Sequence, residues 1–122
     1  MSPLHIACYH GHVEVVRRLL DVDEINVNAR DSGGRSPLAL AARQGHVEVV
    51  RLLLDRRKTD VNCVDNKGQS PLMVASASGH GEIAQLILAA PKLKINRSDA
   101  YGLTPLMHAA IHGHVGIVQC LV

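Results

Sequence analysis

The triplet Ser-Pro-Leu or Thr-Pro-Leu recurs at a fixed spacing of 34 residues: Ser2-Pro3-Leu4, Ser36-Pro37-Leu38, Ser70-Pro71-Leu72 and Thr104-Pro105-Leu106. Two further landmarks keep the same period. Gly-His falls at Gly11, Gly45, Gly79 and Gly113, and Asp-x-x-Gly runs from Asp31 to Gly34, Asp65 to Gly68 and Asp99 to Gly102. Three landmarks in phase mean one structural unit copied along the chain. A unit this short buries its apolar face only against its neighbours, so the chain must fold as a stack. The copies span 2–35, 36–69, 70–103 and, in part, 104–122, within one domain over 1–122.

The second copy shows the grammar best. Ser36 is placed to cap a helix through its hydroxyl, and Pro37 suits the first helical position, where its missing N–H costs nothing. Leu38, Leu40, Ala41 and Ala42 give that helix an apolar face with small residues for close approach. Gly45 then supplies a left-handed stop. From His46 a second helix follows, with Val47, Val49, Val50, Leu53 and Leu54 forming a wide apolar stripe. After a polar break at 56–60, Val61-Asn62-Cys63-Val64 reads as extended, and Asp65-Asn66-Lys67-Gly68 as a type I turn. The unit is therefore predicted as helix, tight turn, helix and extended β-turn arm, and the fold as an all-α repeat solenoid.

Composition narrows the function. Apolar residues make up 47% of the chain, yet Tyr9 and Tyr101 are its only aromatics, so aliphatic side chains must fill thin layers between helices. A formal net charge of +2, with no basic run interleaved with stacking aromatics, gives no footprint for nucleic acid. No apolar run is long enough to span a bilayer. Cys8, Cys63 and Cys120 are odd in number and form no CxxC pair, which points to a reducing, intracellular setting, cytoplasmic or nuclear.

Candidate chemistry dissolves into the repeat. His5, Cys8, His10 and His12 crowd one end and His108, His112 and His114 the other, but His5, His12 and His114 are repeat positions. Cys8 occupies the small-residue slot of Ala42 and Ala110, where a buried thiol is inert. Ser32-Gly33-Gly34 lacks the context of a phosphate loop. No catalytic, metal or cofactor site is expected. His108 stands where Ile6, Leu40 and Val74 place an aliphatic, and is expected to face water.

With these motifs in view, the whole chain resembles the ankyrin-repeat family, whose period is 33 and whose opening is T-P-L-H-x-A; Ser2-Pro3-Leu4-His5-Ile6-Ala7 matches it apart from Ser for Thr. Two departures stand out. The extra residue falls after the second helix, in DVDEIN, DRRKTD and AAPKLK, and should give all three arms one altered geometry. The motif's His survives only as His5, with Ala39, Met73 and Met107 elsewhere.

The resemblance implies a non-catalytic protein–protein interaction module whose arm tips and first helices form a concave binding face. The variable positions there are Tyr9, His10, Ser32, Gly33, Arg35, Arg43, Gln44, Asn66, Lys67 and Gln69, then Ala77, Ser78, Ala100, Tyr101, Leu103, Ile111 and His112. Arg35, Arg43 and Lys67 make the middle basic, while Tyr101, Leu103 and Ile111 make one end apolar. An acidic partner with an apolar anchor fits that pattern. The alternative is a structural spacer or scaffold fragment with no partner of its own. Uncapped ends suggest end-to-end self-association. The resemblance also raises hydroxylation of Asn28, Asn62 and Asn96, against the plainer reading that each Asn bonds within its own arm.

Overall fold

A computed structural model describes all 122 residues. It contains eight helices and no strand: α1 Pro3–His10, α2 Val13–Leu20, α3 Pro37–Gln44, α4 Val47–Leu54, α5 Pro71–Ser78, α6 Gly81–Leu88, α7 Pro105–Ile111 and α8 Val115–Leu121. The odd-numbered helices start as the sequence dictates. The hydroxyls of Ser36, Ser70 and Thr104 accept from the N–H groups of Ala39, Met73 and Met107 at 3.2–3.3 Å. At α1 the cap is reciprocal, because His5 Nδ1 also accepts from the Ser2 N–H. Gly11, Gly45 and Gly79 end α1, α3 and α5 at φ 71°, 80° and 77°, the left-handed region glycine enters cheaply.

The helices form two layers. α1 packs on α3, α3 on α5 and α5 on α7, while α2, α4, α6 and α8 form the parallel row behind them. Leu4, Leu38 and Leu72 are buried between first helices, with the small residues Ala7, Ala41, Ala75 and Ala109 where backbones approach closely. Val16, Val49, Val50, Leu53, Ile83, Ala84 and Ile87 close the core from the second row. Full burial of each Val, Leu or Ile among them contributes roughly 1.5–3 kcal/mol. Cys8 lies in this core as expected, and Ser76 takes the equivalent slot with its hydroxyl donating to the Leu72 carbonyl at 2.7 Å.

The expected extended β-turn arms are not formed. No residue is in a strand or a bridge, and the segments after α2, α4 and α6 are loops. The N–H groups that a ladder would need are taken by side chains. Asp31 accepts from Gly33 and Arg35, Asp65 from Lys67 and Gln69, and Asp99 from Tyr101 and Leu103. One backbone bond between neighbouring loops remains at each junction, from Asn66 to Gly33 and from Ala100 to Lys67. The loops also differ in geometry. Lys92, after Pro91, sits at φ 65°, whereas its equivalents Glu24 and Lys58 do not have positive φ.

Candidate functional site

Two sets of framework side chains position the exposed residues. The first is the histidine of each Gly-His pair. His46 Nε2 donates to the Tyr9 carbonyl at 2.9 Å, His80 Nε2 to the Arg43 carbonyl at 3.0 Å and His114 Nε2 to the Ala77 carbonyl at 3.2 Å. Each ring reaches back one repeat and clamps the C-terminal turn of a first helix, so the backbone beneath Tyr9 and Arg43 is fixed while their side chains stay exposed. The preceding glycine is required for a second reason: a Cβ on Gly45 would lie 2.7 Å from the His80 ring.

The second set is the aspartate of each Asp-x-x-Gly. By accepting two N–H groups, Asp65 fixes the backbone of Lys67 and Gln69, and Asp99 that of Tyr101 and Leu103. Burial pushes the Asp31 carboxyl up, but the Arg35 N–H, the Arg35 charge and the Gly33 N–H outweigh it and hold it below the usual range. Asp99 follows the same logic: burial raises it, while the Leu103 N–H, the His108 ring and the Tyr101 N–H bring it below. From the sequence these aspartates read as turn formers only. Their regular recurrence was the available signal.

Three expectations about individual residues are revised. His108 does not face water: its side chain is 7% exposed and its Nε2 donates to Asp99 Oδ2 at 2.8 Å. Asn28 and Asn62 do not bond within their own loops. Asn28 Nδ2 donates to the Lys58 carbonyl and Asn62 Nδ2 to the Lys92 carbonyl, while their Oδ1 atoms accept from the Asp60 and Lys94 N–H groups, one repeat on. Arg35 is not a free cation, because its Nε lies 3.0 Å from Asp31 Oδ2.

The remaining variable residues are displayed. Tyr9, His10, Arg43, Gln44, Asn66, Lys67 and His112 are exposed, Gln69 and Leu103 half-buried, and Tyr101 and Ile111 reach 72% and 61% exposure. Arg43 and Lys67 take part in no ion pair. Asn66 has one structural duty, donating through Nδ2 to the Ser32 carbonyl at 3.1 Å. None of these residues lines the three main grooves of the surface, which lie along the loops following α2, α4 and α6.

The terminal histidines pair as stacked rings, His10 with His12 at 5.7 Å and His112 with His114 at 6.1 Å. No group of three or more His, Cys, Asp or Glu residues is arranged to hold a metal ion. Burial pushes the Cys8 thiol up to about 12, and a thiol so protonated is a poor nucleophile.

The family model described as ankyrin repeats in three copies matches residues 1–65 and 56–122, together the whole length. The chain belongs to the ankyrin-repeat family. No curated protein matches it. The ankyrin fold is a non-catalytic scaffold that generally mediates protein–protein interaction, and the eight-helix stack described above is that fold. No helix of this ankyrin-repeat chain is long and apolar enough to cross a membrane.

Proposed function

We propose that this ankyrin-repeat chain binds a protein or peptide partner on the face made by the loop tips and the exposed side of the first helices. The observation that carries the reading is the division of labour at that face. Backbone is clamped by repeating His and Asp side chains, while the side chains on it are exposed and differ from copy to copy. A rigid scaffold with variable exposed positions is how recognition surfaces are built.

Arg43 and Lys67 supply unpaired positive charge, and Tyr101, Leu103 and Ile111 an apolar end. The matching partner is an acidic segment with an apolar anchor that packs near Tyr101 and Ile111. Rim charges act mainly on association rate, whereas buried aromatic anchors carry affinity. The free cysteines Cys8, Cys63 and Cys120 fit an intracellular setting.

Selection of a random peptide library on the chain tests the reading. Selected peptides should carry acids around an apolar residue. Arg43→Glu with Lys67→Glu should slow their association, and Tyr101→Ala should speed their dissociation. Failure to select any peptide favours a spacer, and binding indifferent to all three changes places the interface elsewhere.

A further inference from the structure

The Asp-x-x-Gly aspartates use one carboxylate oxygen alike and the other differently. Oδ1 of Asp31, Asp65 and Asp99 accepts two backbone N–H groups at 2.8–2.9 Å. In the first loop Oδ2 is answered by Arg35, four residues on, whose Nε lies at 3.0 Å. In the second loop the equivalent residue is Gln69; Asp65 is half-buried, and its Oδ2 has no partner in the chain and is not enclosed. In the third loop the equivalent is Leu103, which has no donor, and Oδ2 is answered instead from α7, by His108 Nε2 at 2.8 Å. Positions 35 and 40, 69 and 74, and 103 and 108 thus read Arg and Leu, Gln and Val, Leu and His. The donor to the aspartate has moved from the loop to the helix.

Burial makes that donor obligatory. An exposed pair such as Arg56 with Asp21, at 3.1 Å, is solvated when it breaks and contributes little. The Asp31 and Asp99 side chains are 2% and 0% exposed, and a buried carboxylate oxygen without a donor is costly. A Leu at 103 therefore requires a donor from another element, and His108 supplies it where Leu40 and Val74 are apolar and buried. The same bond joins two parts of the apolar end. Asp99 holds the N–H groups of Tyr101 and Leu103, while α7 carries Ile111, so the loop with two of the three residues is tied to the helix with the third. The loop that carries Lys67 has no such tie, because Val74 offers Asp65 no donor.

We propose that His108 is a positioning residue of the partner face: by answering Asp99 from inside the stack it frees position 103 to be Leu, and it fixes the backbone of Tyr101 and Leu103 relative to Ile111. This role rests on the proposed partner reading, in which an apolar anchor packs at that end. His108 touches no partner itself, its side chain being 7% exposed. Its contribution is pre-organisation. A loop already ordered loses less freedom when an anchor packs on it, and the gain falls on dissociation, whereas Arg43 and Lys67 act on association. The other arrangement, Arg in the loop and an aliphatic in the helix, is the one the first loop uses. At the third loop it would satisfy Asp99 but remove Leu103 from the apolar end.

Three variants of the whole chain and two readouts test this. One readout is hydrogen exchange of the Tyr101 and Leu103 amides, with those of Lys67 and Gln69 as the internal reference. The other is the dissociation rate of peptides selected on the parent chain. His108→Leu should speed exchange at Tyr101 and Leu103 about tenfold relative to the reference amides and speed peptide release about threefold or more. His108→Gln, which keeps a donor at similar reach, should return both to within about twofold of the parent. Leu103→Arg added to His108→Leu copies the first loop; it should restore slow exchange but not slow release, a split that bracing of the fold alone does not produce. Exchange at Tyr101 and Leu103 that is unchanged by His108→Leu, or that Leu103→Arg fails to restore, overturns the proposal. Peptides that Tyr101→Ala releases faster but His108→Leu releases at the parent rate overturn it too, and leave the partner reading standing. Selection that yields no peptide overturns the partner reading and this role with it.

Discussion

Gly45 is asked to do two things at once, and the cost of replacing it can be worked out for each. At φ 80° any residue with a Cβ is strained by about 1–2 kcal/mol. That Cβ would also lie 2.7 Å from Cε1 and 3.0 Å from Nδ1 of His80, closer than contact allows. The ring must move, and with it goes the hydrogen bond to the Arg43 carbonyl at 3.0 Å, a further loss of about 0.5–1.5 kcal/mol. Gly45→Ala should therefore cost about 1.5–3.5 kcal/mol in all. In a His80→Ala background only the strain remains, so the same substitution should cost about 1–2 kcal/mol, leaving a coupling energy near 1 kcal/mol. Urea denaturation of the four proteins, followed by circular dichroism at 222 nm, measures the cycle. Gly113 supplies the control, since it has φ 72° but nothing within 4 Å of its Cβ position; Gly113→Ala should show strain alone. If Gly45→Ala costs the same with and without the His80 ring, the histidine clamp does not hold the repeats in register.

Three further outcomes follow from the same contacts. His108→Leu should cost about 1–3 kcal/mol, because it leaves Oδ2 of the fully buried Asp99 carboxylate without its partner while Oδ1 keeps two backbone donors; Asp99→Ala, which frees both backbone donors and also leaves His108 unpaired, should cost more, and thermal melts that reverse this order would refute the account. The folded chain holds the Asp31 and Asp99 carboxyls below their usual range, so the stability they contribute is present above about pH 3.9 and is lost as pH falls through their folded values; urea midpoints taken downward from pH 6 should show the loss, and Asp99→Asn should reduce it. A disulfide reagent should modify exposed Cys120 first and reach buried Cys8 only on unfolding, which mass spectrometry of the labelled peptides will show.

The helices were legible in the sequence because their determinants are local. Ser36 and Pro37 start α3, Gly45 stops it, and the stripe from Val47 to Leu54 defines the buried side of α4, all within a few residues of where they act. What the sequence concealed acts at a distance of one repeat. The donation from His46 to Tyr9 spans 37 residues, and that from Asn28 to Lys58 spans 30; neither can be seen without the stack that brings the ends together. The arms failed for a related reason. Val61-Asn62-Cys63-Val64 has strand-like residues, but strand formation depends on where the N–H groups go, and the neighbouring aspartates claim those of the turn that follows. Arg35 looked free beside Arg43 and Lys67 until its carboxylate partner, four residues away at Asp31, was placed.

Departure from the repeat is therefore not by itself a mark of function. His108 departs from its equivalents Ile6, Leu40 and Val74, yet it is buried and satisfied by Asp99, so its departure is absorbed inside the molecule. Arg35 departs and is answered by Asp31. Arg43, Lys67 and Tyr101 depart, are exposed, and their side chains have no ionic partner within the chain. Retaining an uncompensated charge on a scaffold whose backbone is pinned beneath it has no structural explanation in a chain that pairs Arg35 and Arg56 so readily. Departure, exposure and the lack of an internal partner together separate the surface that faces outward from the differences that serve the fold.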